Sequence, residues 1–166
     1  SPEDDLAFID DLIPAFKDPR YIRVDGKPVL IVYRASLFPD IAATATRWRT
    51  RVEEHGIEGL YLVVARSLDS INPSEVGFDA AVEFPPNNCN TANIAYQSTV
   101  VNNDFVGAIY DYKELALRQG KVDPAEFVCH KTVMPSWDNC ARKLNAASCF
   151  INDTPAVYAR WLDDAV

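Results

Sequence analysis

No glycine-rich loop follows any apolar run in this chain and no Gly-x-Ser-x-Gly elbow occurs, so the signatures of phosphate-cradling NTPases and of α/β hydrolases are both missing. A basic excess is missing too. Lys and Arg number 16 against 24 Asp and Glu, the formal net charge is -8, and the pI is near 4.7. That balance argues against a nucleic-acid partner, because binding phosphates needs a basic stripe. No apolar run approaches the ~18 residues of a membrane span, and no basic, apolar, small-residue leader opens the chain, so nothing here is expected to cross a bilayer. The four cysteines, Cys89, Cys129, Cys140 and Cys149, lack the Cys-x-x-Cys spacing of a zinc knuckle or redox motif. A site made of Cys129, His130, Cys140 and Cys149 matches no zinc-ligand spacing, so neither a metal nor a cofactor is expected, and Cys129 reads as a small buried hydrophobe. The chain opens Ser1-Pro2 without an initiator methionine and holds a single methionine, Met134. It is therefore expected to be a piece of something longer, incomplete at both ends.

What is present is ordinary globular material, 48% hydrophobic and 24% charged over 166 residues, enough for one domain with a sizeable core. Ser1 and Pro2 read as the cap and first position of a helix carrying Leu6, Ile9, Ile13 and Phe16, which Pro14 is predicted to kink or shorten. Tyr21 to Val24 and the Asp25-Gly26 turn lead hairpin-fashion into residues 29–33. That run is apolar on both faces, as in a parallel strand covered on both sides. Asp40 caps a helix through Ile41, Ala45, Trp48 and Val52, closed by Gly56 in a left-handed position. His55 stands where a cation favours the helix end and reads as structural. Further strands are predicted over 60–65, 79–84 and 128–134, the third of the four halted by Pro85-Pro86. Residues 87–103 form a long aperiodic loop of the kind that covers a site or is mobile. Asp111 caps a short helix through Leu115 and Leu117, and Gly120 and Pro124 lead to the strand at 128–134. Asn152-Asp153-Thr154 suits both a glycosylation acceptor and the start of a helix carrying Val157, Trp161 and Leu162. Continuous apolar strands alternating with helices predict an α/β parallel architecture.

The stretch Lys131 to Arg142 is the candidate site. Pro135 cannot donate a ladder hydrogen bond, so the predicted strand must end there and the chain turn to solvent at Ser136. Trp137 then offers a flat apolar face, Asp138 an acceptor, Asn139 an amide and Arg142 a cationic fork. A pyranose ring needs that mixture, an apolar face to stack on and bidentate partners for its hydroxyls. The competing reading is a plain loop in which Asp138 and Asn139 cap the following turn. Ligands of parallel sheets bind at the carboxyl ends of the strands, so Tyr33, Arg34, Arg66, Glu83 and the Trp137 to Arg142 group are expected at one mouth. Four strands do not close a barrel of eight, which takes ~250 residues. The alternatives are a small open sheet or part of a barrel.

Asp18 to Pro28, Val32-Tyr33-Arg34, Gly77 to Pro86, Met134 to Arg142 and Tyr158 to Leu162 together resemble, in order and nearly end to end, the WbsX-type proteins. These are proteins of bacterial surface-polysaccharide loci classed as glycosyltransferases, with a domain similar to glycoside hydrolase family 99. Ser136 stands where that family usually has Gly, and Cys140 where it has Thr; a Gly-dependent turn at Ser136 would be strained. The resemblance implies a partial (β/α)8, or TIM, barrel of about four parallel strands with flanking helices, acting on a glycan together with the rest of the same polypeptide. It implies Tyr33, Arg34, Glu83, Trp137, Asp138, Asn139 and Arg142 as substrate-binding residues. The Asn-Glu-Trp-x-Glu-Gly segment that carries the hydrolases' catalytic carboxylates does not occur here, so Glu83 and Asp138 are read as binding or positioning groups and the catalytic residues are unknown. A bacterial, cytoplasmic setting is expected. The alternatives are a non-catalytic carbohydrate-binding or scaffolding portion of a larger protein, and an unrelated small α/β enzyme with an open sheet.

Overall fold

The computed structural model describes residues 1–68, 71–87, 91–119 and 126–166. In chain order its helices and strands are α1 (Pro2–Phe16), β1 (Arg23–Val24), β2 (Lys27–Val32), α2 (Ile41–Glu54), β3 (Tyr61–Arg66), β4 (Ala80–Glu83), β5 (Ala108–Asp111), α3 (Tyr112–Gln119), β6 (Cys129–His130), α4 (Cys140–Lys143), β7 (Ser148–Ile151) and α5 (Pro155–Ala165). They fall into two compact units, Ser1–Phe84 with Pro124–His130, and Pro85–Asp123 with Lys131–Val166.

In the first unit, α1 begins with a reciprocal cap: Ser1 Oγ accepts from the Asp4 N–H at 3.3 Å while the Asp4 carboxylate accepts from the Ser1 amine at 2.9 Å. The helix is not shortened at Pro14 but runs on to Phe16: the backbone bond lost at the proline is offset by burial of Ile13 and Phe16 on either side of it. Asp25 (φ 49°) and Gly26 (φ 79°) are both left-handed, as the tight turn joining antiparallel β1 and β2 requires. Asp40 Oδ1 accepts from the Ala43 N–H at 2.9 Å to start α2, and Gly56 at φ 78° ends it. The sheet order is β1-β2-β3-β4-β6, with β2, β3, β4 and β6 mutually parallel.

Alternation along the strands gives this sheet two different faces. Leu62, Val64 and Ala81 pack with Ile9, Ile13 and Phe16 of α1 and Trp48 and Val52 of α2. The opposite face carries a smaller cluster of Val63, Ala65, Ala80 and Val82, flanked by Val29 and Tyr61. β2 is not covered on both sides: Ile31, in register with Val63, is 54% exposed. Asp79 ties the layers together, accepting from the Leu62 N–H and from Arg49 of α2, both at 2.8 Å.

The strand predicted over 128–134 is only two residues long, Cys129 and His130 opposite Ala81 and Val82. Beyond it the apolar residues serve the other core. Val133 and buried Met134 pack in the second unit, where the Tyr112 hydroxyl donates to the Met134 carbonyl. That unit holds a parallel pair absent from the sequence reading, β5 and β7, in register Ala108↔Ser148 to Asp111↔Ile151. Its core is Tyr112, Leu115, Ala116, Met134, Phe150 and Trp161, with Tyr112 and Trp161 edge to face at 5.8 Å. Asp111 caps α3 by accepting from the Glu114 N–H at 3.0 Å, and Thr154 caps α5 by accepting from the Val157 N–H. Among the described residues of the long loop there is one short 3-10 turn, Ala95–Gln97. Cys89, Gly120 and Pro124 lie outside the described residues. The described architecture is thus mixed α/β, mostly parallel, with flanking helices.

Candidate functional site

The sequence-predicted site residues divide between the units: Tyr33, Arg34 and Glu83 belong to the first, Trp137, Asp138, Asn139 and Arg142 to the second. Tyr33 and Arg34 follow β2 directly, Arg66 ends β3 and Glu83 ends β4, so in the first unit the polar residues do gather at the carboxyl end of the parallel sheet. Tyr33 meets Phe84, with ring centroids 5.0 Å apart and planes tilted by 53°. Both rings stay open to solvent, Tyr33 48% and Phe84 40% exposed. Buried Ser67, just past β3, fixes the base of this pair by donating from Oγ to the Tyr33 carbonyl at 2.8 Å. Glu83 is in register with Arg66 and is buried. By alternation it shares the face of Ala81, which packs toward the helices, whereas Phe84 continues the face of Val82. Lower on that second face the Tyr61 hydroxyl lies 3.1 Å from His130 Nε2. Burial, then the charges of Asp79 and Asp25, raise the Tyr61 hydroxyl above the usual phenol range.

In the second unit the segment after Met134 runs irregularly and then antiparallel along β7. The Phe150 N–H donates to the Trp137 carbonyl at 2.9 Å, the Asn139 N–H to the Ser148 carbonyl at 3.2 Å, and Asp138 faces Cys149. The Trp137 ring is partly buried against the core of this unit. Asp138 Oδ1 accepts from the Cys140 N–H at 2.9 Å and holds the turn, while Asn139 Oδ1 accepts from the Ser148 N–H at 2.8 Å and holds the pairing with β7. Arg142 projects from the exposed, one-turn α4. Among the described residues the left-handed non-glycines are Asp25, Leu144 and Asn152, so Ser136 carries no strain of the kind a glycine would relieve.

Two strand-end features escaped the sequence reading. One is Phe84, whose signal was its place immediately after Glu83. The other is Asp111, the last residue of β5, with Asn152, the residue after β7, joined through a 2.7 Å bond from Asn152 Nδ2 to Asp111 Oδ2. Burial pushes the Asp111 carboxyl up, but bonds from the Glu114 N–H, Asn152 and the Lys113 N–H outweigh it and leave the pKa below its ordinary value. Beside Asp138, the sulfurs of Cys140 and Cys149 lie 3.3 Å apart. That contact first, and burial second, push the Cys140 thiol up to about 11. Among the described residues no three His, Cys, Asp or Glu side chains group to hold a metal, and no helix is long and apolar enough to cross a membrane.

Two curated relatives, both the uncharacterized protein WxcX of Xanthomonas campestris pv. campestris, one in strain B100 and one in strain ATCC 33913, are 35% identical over 162 residues. The match covers 98% of this chain and 23% of each relative, so the chain spans under a quarter of their length. No solved structure matches. The model of the family described as Glycosyltransferase WbsX matches residues 1–166, and the chain therefore belongs to that family.

Proposed function

We propose that this chain is part of a carbohydrate-active domain that makes or breaks glycosidic bonds in a bacterial surface polysaccharide, built as part of a (β/α)8 barrel similar to glycoside hydrolase family 99. The observation that carries the proposal is the match of the whole chain to the glycosyltransferase WbsX family. The solvent-open Tyr33 and Phe84 rings at the carboxyl end of the parallel sheet support it. The C–H face of a pyranose is apolar and stacks on such rings, while a carboxylate accepts from two hydroxyls and a guanidinium donates to two oxygens. In this reading Tyr33 and Trp137 stack sugar rings, Arg34, Asp138, Asn139 and Arg142 hold hydroxyls, and Glu83, buried at the end of β4, is a positioning group. The rest of the polypeptide supplies the carboxylates that perform the chemistry.

The test is oligosaccharide binding and turnover by the full-length protein and its Tyr33→Ala, Trp137→Ala and Asp138→Ala variants. An aromatic contact carries about 0.5–1.5 kcal/mol beyond area burial, so loss of the exposed Tyr33 ring weakens binding by about 2- to 12-fold. Unchanged binding and turnover in all three variants refutes the proposal. A second reading, a sugar-binding portion without catalysis, is favoured by the commitment of Asp138 Oδ1 and Asn139 Oδ1 to backbone donors. Glycan binding by the full-length protein with no turnover of any bound glycan selects it.

A further inference from the structure

We infer that Cys140 and Cys149 form a closing dithiol, which a small-molecule disulfide oxidises to an intramolecular disulfide that pins the Trp137 to Arg142 segment onto β7. The two sulfurs already lie 3.3 Å apart and need an approach of about 1.3 Å to reach bonding distance. Their backbones are held in place by antiparallel pairing: Phe150 donates to Trp137, Asn139 to Ser148, and Ser148 to the Asn139 side chain. Cys140 itself is held by its N–H bond to Asp138 at 2.9 Å. Closure therefore asks for side-chain rotation rather than a change of fold. Cys140 is exposed and Cys149 partly buried, which sets the order of events. The Cys140 thiolate is a minor species at neutral pH because the thiol is held high beside Cys149, and incubation at about pH 9 generates it. It attacks the small disulfide, expelling one small thiol and leaving a mixed disulfide. Cys149 then attacks Cys140 Sγ and expels the second. The protein's two thiols are oxidised, the reagent is reduced to two thiols, and these carry both protons.

The experiment is incubation of the full chain with excess oxidised glutathione, followed by intact-mass measurement and non-reducing peptide mapping. The expected result is a loss of about 2 Da, with a peptide linking Cys140 to Cys149 and no glutathione retained at either. In Cys140→Ser and Cys149→Ser variants the remaining partner keeps its glutathione adduct or its free thiol, and that link is gone. A stable adduct on wild-type Cys140, a link from either cysteine to Cys89 or Cys129, or an unreacted pair overturns the inference. The chemistry does not rest on the carbohydrate reading, which neither result touches.

Discussion

Gly107 is the residue on which the second unit's strand pairing depends. It precedes β5, and the Ala108 N–H donates to the Ala147 carbonyl at 2.8 Å. A Cβ at Gly107 would run into that same carbonyl oxygen and lie 2.7 Å from the Phe105 ring. Phe105 can turn aside; the carbonyl is main chain on the fully buried Ala147 and cannot. Gly107→Ala thus forces the two strands apart. Overpacking costs about 1–3 kcal/mol, and losing the Ala108 bond about 0.5–1.5 kcal/mol. Set against this is the roughly 0.4–1 kcal/mol gained by restricting the unfolded chain. With each term at mid-range the net loss is about 2 kcal/mol, confined to the second unit. Amide hydrogen exchange resolves it locally: the Ala108 and Phe150 amides exchange about 30-fold faster in the variant. Protection at Ala108 within about threefold of the parent would show that the strands tolerate the methyl and that the reasoning is wrong.

Asp5 of α1 accepts from Thr44 Oγ1 at 2.8 Å and Arg47 Nε at 2.9 Å of α2. Asp5→Asn, which keeps the shape and loses the charge, therefore destabilises the first unit by about 1.5–3 kcal/mol in urea unfolding; a loss under about 0.5 kcal/mol counts against that role. Asp111 has a folded pKa below its unfolded value, so its contribution is fully present above about pH 4 and is lost as pH falls through the folded pKa. Acid titration of second-unit stability loses part of its slope in Asp111→Asn, and an identical titration curve refutes the assignment.

Caps and turns were legible in the sequence because their chemistry is complete within a few residues. Ser1, Asp40, Asp25-Gly26 and Gly56 each adopt the expected role, and Asp138 shows the local turn bonding its type favours, whereas Asn139 bonds across to Ser148 instead of capping the turn. β5 and β7 were not legible. Each is four residues long and half-buried almost throughout, so neither alternates nor forms a solid apolar run. Residues 128–134 misled for the opposite reason, since one apolar run feeds two cores and only its first part is strand. The Tyr33–Phe84 pair joins residues far apart in sequence, and no local pattern announces such a meeting.

The sheet of the first unit takes its last strand from far along the chain: β4 ends at Glu83, and β6 starts only at Cys129. A ribosome adding ~5–20 residues per second needs about 2–9 s to make what lies between. Throughout that interval the outer border of β4 offers its N–H and C=O groups to any nascent neighbour. Two prolines immediately downstream, Pro85 and Pro86, cannot extend such a pairing. They limit the vulnerable border to one short strand while synthesis catches up.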